Sequence, residues 1–167
     1  MTKRGEAGLR ADLKALAIPF EHHEHEAVFT VEESRGVKEA IPGAHTKNLF
    51  LKDVGGVFWL VTVPAEMGVD LKALPEAIGC KRVSFGKPHD MERLLGLTPG
   101  SVTPLGAIHA EPGNITVVLD RSLAEADRIN VHPLRNTATI GLSGADTLRL
   151  IEHWGHAPVI ADIPAQD

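Results

Sequence analysis

His45-Thr46-Lys47-Asn48-Leu49-Phe50-Leu51-Lys52-Asp53, followed by Val54-Gly55-Gly56-Val57 and then Phe58-Trp59-Leu60-Val61-Thr62-Val63, is the stretch on which the fold turns. Two apolar runs flank a Gly-Gly pair, so Asn48 to Val54 and Val57 to Val63 are expected to pair as a hairpin that Pro64 ends. The turn-prone segment Ile41-Pro42-Gly43-Ala44 precedes them and is expected to deliver Lys47 and Asn48 at the mouth of the first strand. A lysine there offers a compact cation with three donors, suited to a single phosphate, and an asparagine offers both a donor and an acceptor. The competing reading of the same two residues is a solvated strand start.

Working outward, Gly8 to Ala17 places Leu9, Leu13 and Leu16 on one helical face before Ile18-Pro19. Phe20 to His25 is expected as a polar edge strand, and Thr30 with Glu33 as the capping box of a helix over Val31 to Glu39. Beyond the hairpin, Asp70 introduces a helix from Leu71 to Ile78 that Gly79 closes. Lys81 to Phe85 is expected as a strand and Asp90 to Leu95 as a short helix. Val102 to Ile108 is expected as a bent or edge strand, because Pro104 and Gly106 interrupt it. Ile115 to Leu119 is a near-continuous apolar run and so a central strand. Asp120 to Ala126 turns, Arg128 to Val131 extends, and Thr137 to Leu142 alternates as a strand. Ser143 caps a last helix through His153, ahead of a strand over Val159 to Ile163. Strands and helices interleave without regular βα alternation, which argues for an α+β fold: one domain over residues 1–167, with a mixed sheet.

Composition bounds the function. The chain has 167 residues, long enough for a substantial core without staples. Its single cysteine, Cys80, allows no internal disulfide and suits a reducing cytoplasm. No apolar run approaches a membrane span, and the N-terminus lacks the apolar region of a signal peptide, so a cytoplasmic protein is expected. A net charge of −5 argues against non-specific coating of nucleic acid. It leaves room for docking one RNA end on a local patch drawn from Lys47, Lys52, Lys81, Arg82, Lys87, Arg128 and Arg135. Five Phe, two Trp and no Tyr leave little for a base-stacking platform.

Most familiar chemistries are missing. His22, His23 and His25 suggest metal, but on a strand His23 and His25 share one face and His22 takes the other. No Cys pairs or His-Glu-x-x-His motif accompany them, and no metal or cofactor is expected. Lys81 and Arg82 beside Cys80 could lower a thiol pKa, yet a buried structural cysteine is the better reading. Ser101 is not in a nucleophile elbow, and no phosphate loop or dinucleotide fingerprint is present. Two shaped loops remain, Thr98-Pro99-Gly100-Ser101-Val102-Thr103-Pro104-Leu105-Gly106 and Asn130-Val131-His132-Pro133-Leu134-Arg135-Asn136-Thr137-Ala138-Thr139. Exposed N–H groups of the first could hold a carbonyl oxygen or a developing oxyanion.

Taken together, Lys47-Asn48-Leu49-Phe50-Leu51, the Gly96-to-Gly106 loop and His132-Pro133-Leu134-x-Asn136-Thr137-Ala138-Thr139 resemble the YbaK/prolyl-tRNA-synthetase-associated editing domain family. They are most similar to its free-standing branch, which clears alanine from mischarged tRNA(Pro), and the likeness runs from about Leu9 to Ile160. The resemblance implies an α+β domain with a mixed, barrel-like sheet flanked by helices. It also implies a trans-editing deacylase whose partner is the tRNA(Pro) acceptor end, with prolyl-tRNA synthetase as a transient contact and DNA binding disfavoured. Carried over by motif, Lys47 holds the phosphate of the terminal adenosine, and Asn48 orients the ribose or aminoacyl group. His132 lines the amino-acid pocket, and Gly100, Ser101, Val102 and Thr103 bind substrate around the ester carbonyl or α-amino group. Water is the nucleophile and no protein base is evident; the vicinal ribose hydroxyl is the expected activator. The alternatives are a deacylase for Cys- or Ser-tRNA, a non-catalytic module for RNA ends or small ligands, and, third, a metallohydrolase.

Overall fold

The computed structural model describes residues 5–26 and 41–166. The helix expected over Val31 to Glu39, with its Thr30 cap, lies outside the described residues. The hairpin forms as its residues dictate. β2 (Ala44–Asp53) and β3 (Phe58–Pro64) pair antiparallel, and Gly56 takes φ 88° in the turn. The Asp53 carboxylate closes that turn, accepting from Gly55 N at 2.9 Å, Val57 N at 3.0 Å and the Trp59 indole at 3.3 Å. β2 starts at Ala44, earlier than expected, so Lys47 and Asn48 stand inside the strand and not at its mouth. Alternation then sends them to opposite faces.

The other strands are β1 (Glu21–Glu24), β4 (Val83–Phe85), β5 (Thr116–Asp120), β6 (Ile129–Val131), β7 (Ala138–Leu142) and β8 (Val159–Ala161). They form one mixed sheet in the order β1-β7-β6-β2-β3-β5-β8, with β4 beside β2. β5, the apolar run, is interior and parallel to both β3 and β8, whereas the charged β1 lies at an edge. β3 fills one edge of β2. On the other, Ala44 and His45 pair in parallel with Ile129 and Asn130 of β6, and Leu51 to Asp53 pair with β4. Thr46 to Phe50 lie between these ladders, with no strand partner on that side among the described residues. β2 is thus the strand that joins the parts of the sheet, and Lys47 and Asn48 stand in its stretch between the β6 and β4 ladders.

Helices α1 (Gly5–Ala15), α2 (Leu74–Ile78), α3 (Pro88–Leu95), α4 (Arg121–Ala124) and α5 (Gly144–His153) flank the sheet. Phe50, Phe58 and Leu60 pack against Met91, Leu94 and Leu95 of α3, while Leu51, Trp59, Val61 and Val63 pack on the other face against Leu74 and Ile78. A third cluster joins Leu9 and Leu13 of α1 to Ile129, Val131, Ile140 and Leu142. Leu60 is fully buried, and its truncation to alanine would cost about 2–5 kcal/mol.

One expected element is overturned. Val102 to Ile108 is not a strand; Pro104–His109 is a 3-10 helix, preceded by a shorter one over Pro99–Ser101. Pro104 through Ile108 are all buried, and proline cannot donate to a ladder there. Pro104 instead opens the helix, and the Thr103 hydroxyl accepts from Leu105 N. The second helix is shorter than expected, since Asp70 Oδ1 accepts from Lys72 N and Ala73 N in a turn before it. No helix among the described residues is long and apolar enough to cross a membrane.

Candidate active site

β2 and β6 set the site through their parallel register. His45 pairs with Asn130, so these two side chains share a face; Lys47 follows two residues on within β2, and His132 two residues on, just past the end of β6. β7 adds Thr139 to the same face, because Gly141 pairs with Asn130 and Thr139 lies two residues before it; on the other side of β7, His25 N–H donates to Thr137 O at 3.0 Å. His25 Nε2 lies 2.8 Å from Thr139 Oγ1. Lys47 is half-buried and makes no ion pair with any described residue.

His132 is oriented by its backbone. Its Nδ1 lies 3.1 Å from the Ala138 carbonyl, which can only accept, so Nδ1 carries the hydrogen. Nε2 is then left as a lone-pair acceptor. Burial pushes the imidazolium pKa below its ordinary 6.5, against the pull of the Ala138 hydrogen bond, and the charge of His25 lowers it further. His132 is therefore neutral at neutral pH.

Asn48 works on the opposite face. Its Nδ2 donates to the Val102 carbonyl at 2.9 Å, and its Oδ1 accepts from Thr62 Oγ1 at 2.6 Å. Thr62 is fully buried. Both ends of the amide are engaged, so Asn48 ties the Thr98-to-Gly106 loop to the strand that carries Lys47. The loop presents Gly100 to solvent, with Ser101 and Val102 half-buried. Thr103 is fully buried with its hydroxyl capping the turn behind it, so it shapes the loop from beneath.

Other candidates fall elsewhere. Burial pushes the Cys80 thiol pKa up, and the charge of Asp53 adds to that, so Lys81 and Arg82 do not make a reactive thiolate. His22 contacts Arg10 and Glu24, whereas His23 contacts Arg128 and Glu21. Arg128 and Arg135 are spent on ion pairs with Glu21 and with Glu6 and Glu24. They drop out of the basic patch, whereas Lys52, Lys81, Arg82 and Lys87, at and around β4, make no ion pair with described residues. The sequence reading missed His25 and Thr139 as site neighbours. The Phe20-to-His25 alternation was visible, but nothing local says that β1 pairs with β7.

Three kinds of comparison bear on this geometry. The family model described as an aminoacyl-tRNA editing domain matches residues 25–150. The Bos taurus prolyl-tRNA synthetase associated domain-containing protein 1 is 38% identical over 159 residues, covering 92% of each chain. The prolyl-tRNA editing protein ProX of Acetoanaerobium sticklandii is 33% identical over 147 residues, covering 87% of this chain and 90% of its own. A crystal structure of a candidate trans-editing enzyme for prolyl tRNA synthetase superposes with TM-score 0.72 at 19% identity, over 99% of this chain and 100% of that one, a likeness of fold. With the mixed α+β sheet and the three motifs in order, these matches show that the chain belongs to the aminoacyl-tRNA editing domain family and is an aminoacyl-tRNA hydrolase.

Proposed function

We propose that this chain hydrolyses the ester of Ala-tRNA(Pro) in trans. The reading rests on a half-buried Lys47 that makes no ion pair among the described residues, two residues beyond His45, and on an oriented His132 two residues beyond Asn130, the strand partner of His45. Lys47 anchors the phosphate of the terminal adenosine, the one strong anion that the acceptor end brings to this place. His132 Nε2, a fixed acceptor, takes a hydrogen bond from the α-ammonium group and bounds the amino-acid pocket. Gly100 and Val102 offer backbone N–H groups to the ester carbonyl, Ser101 shapes the turn by donating its N–H to Thr98 O, and Asn48 holds that backbone to β2 through Val102 O. Thr103 braces the same turn. Water attacks, assisted by the vicinal hydroxyl of the terminal ribose. The tRNA(Pro) acceptor end is the partner, its phosphates meeting Lys52, Lys81, Arg82 and Lys87 around β4, and prolyl-tRNA synthetase is met only in passing.

The need for such an enzyme is physical. A proline pocket cannot exclude the smaller alanine sterically, and a missing methylene is worth only about 1–3 kcal/mol. A second sieve that admits the small side chain supplies the rest. The deciding experiment follows deacylation of Ala-, Pro- and Cys-tRNA(Pro) by wild type and Lys47→Ala. Loss of alanine alone is expected, reduced about 10- to 100-fold by the substitution, the worth of a hydrogen bond to a charged group. Preferential loss of cysteine would move the specificity to a sister branch, and turnover of no ester would refute the reading.

A further inference from the structure

The first turn of α1 touches both loops of the site. Gly5 N–H donates to His109 Nε2 at 3.1 Å, and His109 Nδ1–H donates to the Leu95 carbonyl at 2.8 Å. Leu95 ends α3 just before the Gly96-to-Gly106 segment, and His109 ends the 3-10 helix, Pro104–His109, into which that segment runs. This relay therefore ties both ends of the segment to α1. One residue on, Glu6 Oε1 accepts from Arg135 Nε at 2.6 Å and Glu6 Oε2 from Arg135 Nη2 at 3.4 Å. Arg135 Nη1 also donates to Glu24 Oε2 at 2.9 Å and Thr137 Oγ1 at 2.8 Å, and Nη2 to Glu24 Oε1. Every guanidinium nitrogen is engaged, in a fork between carboxylates from α1 and β1.

The segment so held is strained. Leu134 takes φ 72°, left-handed for a non-glycine residue, and its side chain packs against two core clusters at once. His132 stands two residues before it. A cleft of about 340 Å³ separates the two loops, lined by Gly5, Glu6, Leu97, His109, Leu134 and Arg135. The family model begins at residue 25, so Gly5 and Glu6 lie outside it.

We propose that the first turn of α1 is a spacer that fixes the two active-site loops relative to each other, with Glu6 and Arg135 as positioning residues for His132. The inference rests on the reading of His132 as a substrate-binding residue. Without the Arg135 fork, the strained Leu134 backbone relaxes and His132 moves with it. Displacement of about an ångström is enough to slow a positioned reaction substantially. Lys47 sits on a different strand, so anchoring of the RNA end is retained.

The test is single-turnover deacylation of Ala-tRNA(Pro) by Arg135→Ala, Glu6→Gln and the double variant, with Arg121→Ala as control. Arg121 pairs with Asp162 in an exposed ion pair remote from the site. Arg135→Ala is expected to lower the rate constant on the order of tenfold with KM within about twofold. Glu6→Gln should fall less, the double variant no further than Arg135→Ala, Arg135→Lys in between, and Arg121→Ala not at all. A wild-type rate for Arg135→Ala, a loss wholly in KM, or additive losses would overturn the proposal. Wild type inert toward every ester would instead overturn the proposed function, and amide hydrogen exchange then decides on the spacer. Faster exchange confined to residues 132–137 in Arg135→Ala supports it, and unchanged exchange refutes it.

Discussion

Replacing Asn48 with alanine tests how the catalytic strand and the glycine-proline loop are coupled. The substitution removes two hydrogen bonds, from Asn48 Nδ2 to Val102 O and from Thr62 Oγ1 to Asn48 Oδ1. The Val102 carbonyl belongs to a half-buried residue and can find water, so its loss costs the net worth of one bond, about 1 kcal/mol. Thr62 is 0% exposed and cannot. Its stranded hydroxyl costs a further 1–3 kcal/mol or so, for a total of about 2–4 kcal/mol. Urea unfolding at constant slope reads the stability, and single-turnover deacylation of Ala-tRNA(Pro) reads the function. Adding Thr62→Val removes the stranded hydroxyl and should recover about 1–2 kcal/mol of the stability. Activity should not return with it, because Val102 O is still untethered and the loop is no longer fixed to β2. If Asn48→Ala unfolds within about 0.5 kcal/mol of wild type, or if the double variant recovers nothing, the coupling argued from these two bonds is wrong.

Further outcomes follow from single features. Burial and then the charge of His25 hold the His132 pKa below 6.5, so deacylation, corrected for spontaneous hydrolysis, should keep its rate as pH falls through 6.5 and decline only below it. Stability follows the same sign: the unfolded chain binds a proton near 6.5 and the folded one does not, so His132 destabilises the fold progressively as pH falls from 6.5 toward its lowered value. An acid limb at or above 6.5 in the rate profile would contradict this. A Cβ at Gly144 would stand 1.9 Å from the Leu123 carbonyl, so Gly144→Ala must push α5 off α4 and should cost about 3 kcal/mol in urea unfolding. Ser143→Ala, which removes only the hydroxyl that accepts from Asp146 N, should cost about 1 kcal/mol.

Local chemistry made much of the fold legible. Gly55-Gly56 between apolar runs is a hairpin, Ile115 to Leu119 is interior, and Ser143 caps the last helix. Reading Val102 to Ile108 as a strand failed because a short apolar run with Pro and Gly looks alike whether it pairs or coils. Pro104, which cannot donate to a ladder, opens a 3-10 helix under the Thr103 cap instead. Lys47, His132 and the Gly100 loop were visible as motifs. That Lys47 and Asn48 point to opposite faces follows from both lying inside β2, which begins at Ala44, and register decides which face each takes.

By itself, the sequence determined the residue types of the candidate site and the α+β class of the chain. Both are written in short-range patterns of turns, caps and apolar runs. Tertiary structure alone decided which of those residues act together. His45 pairing with Asn130 puts Lys47 and His132 in neighbouring rows although 85 residues separate them, and Glu6 meets Arg135 across 129 residues of chain. Such meetings are set by strand order and register, which follow from the packing of three core clusters around β2 and β3, and no local pattern contains them.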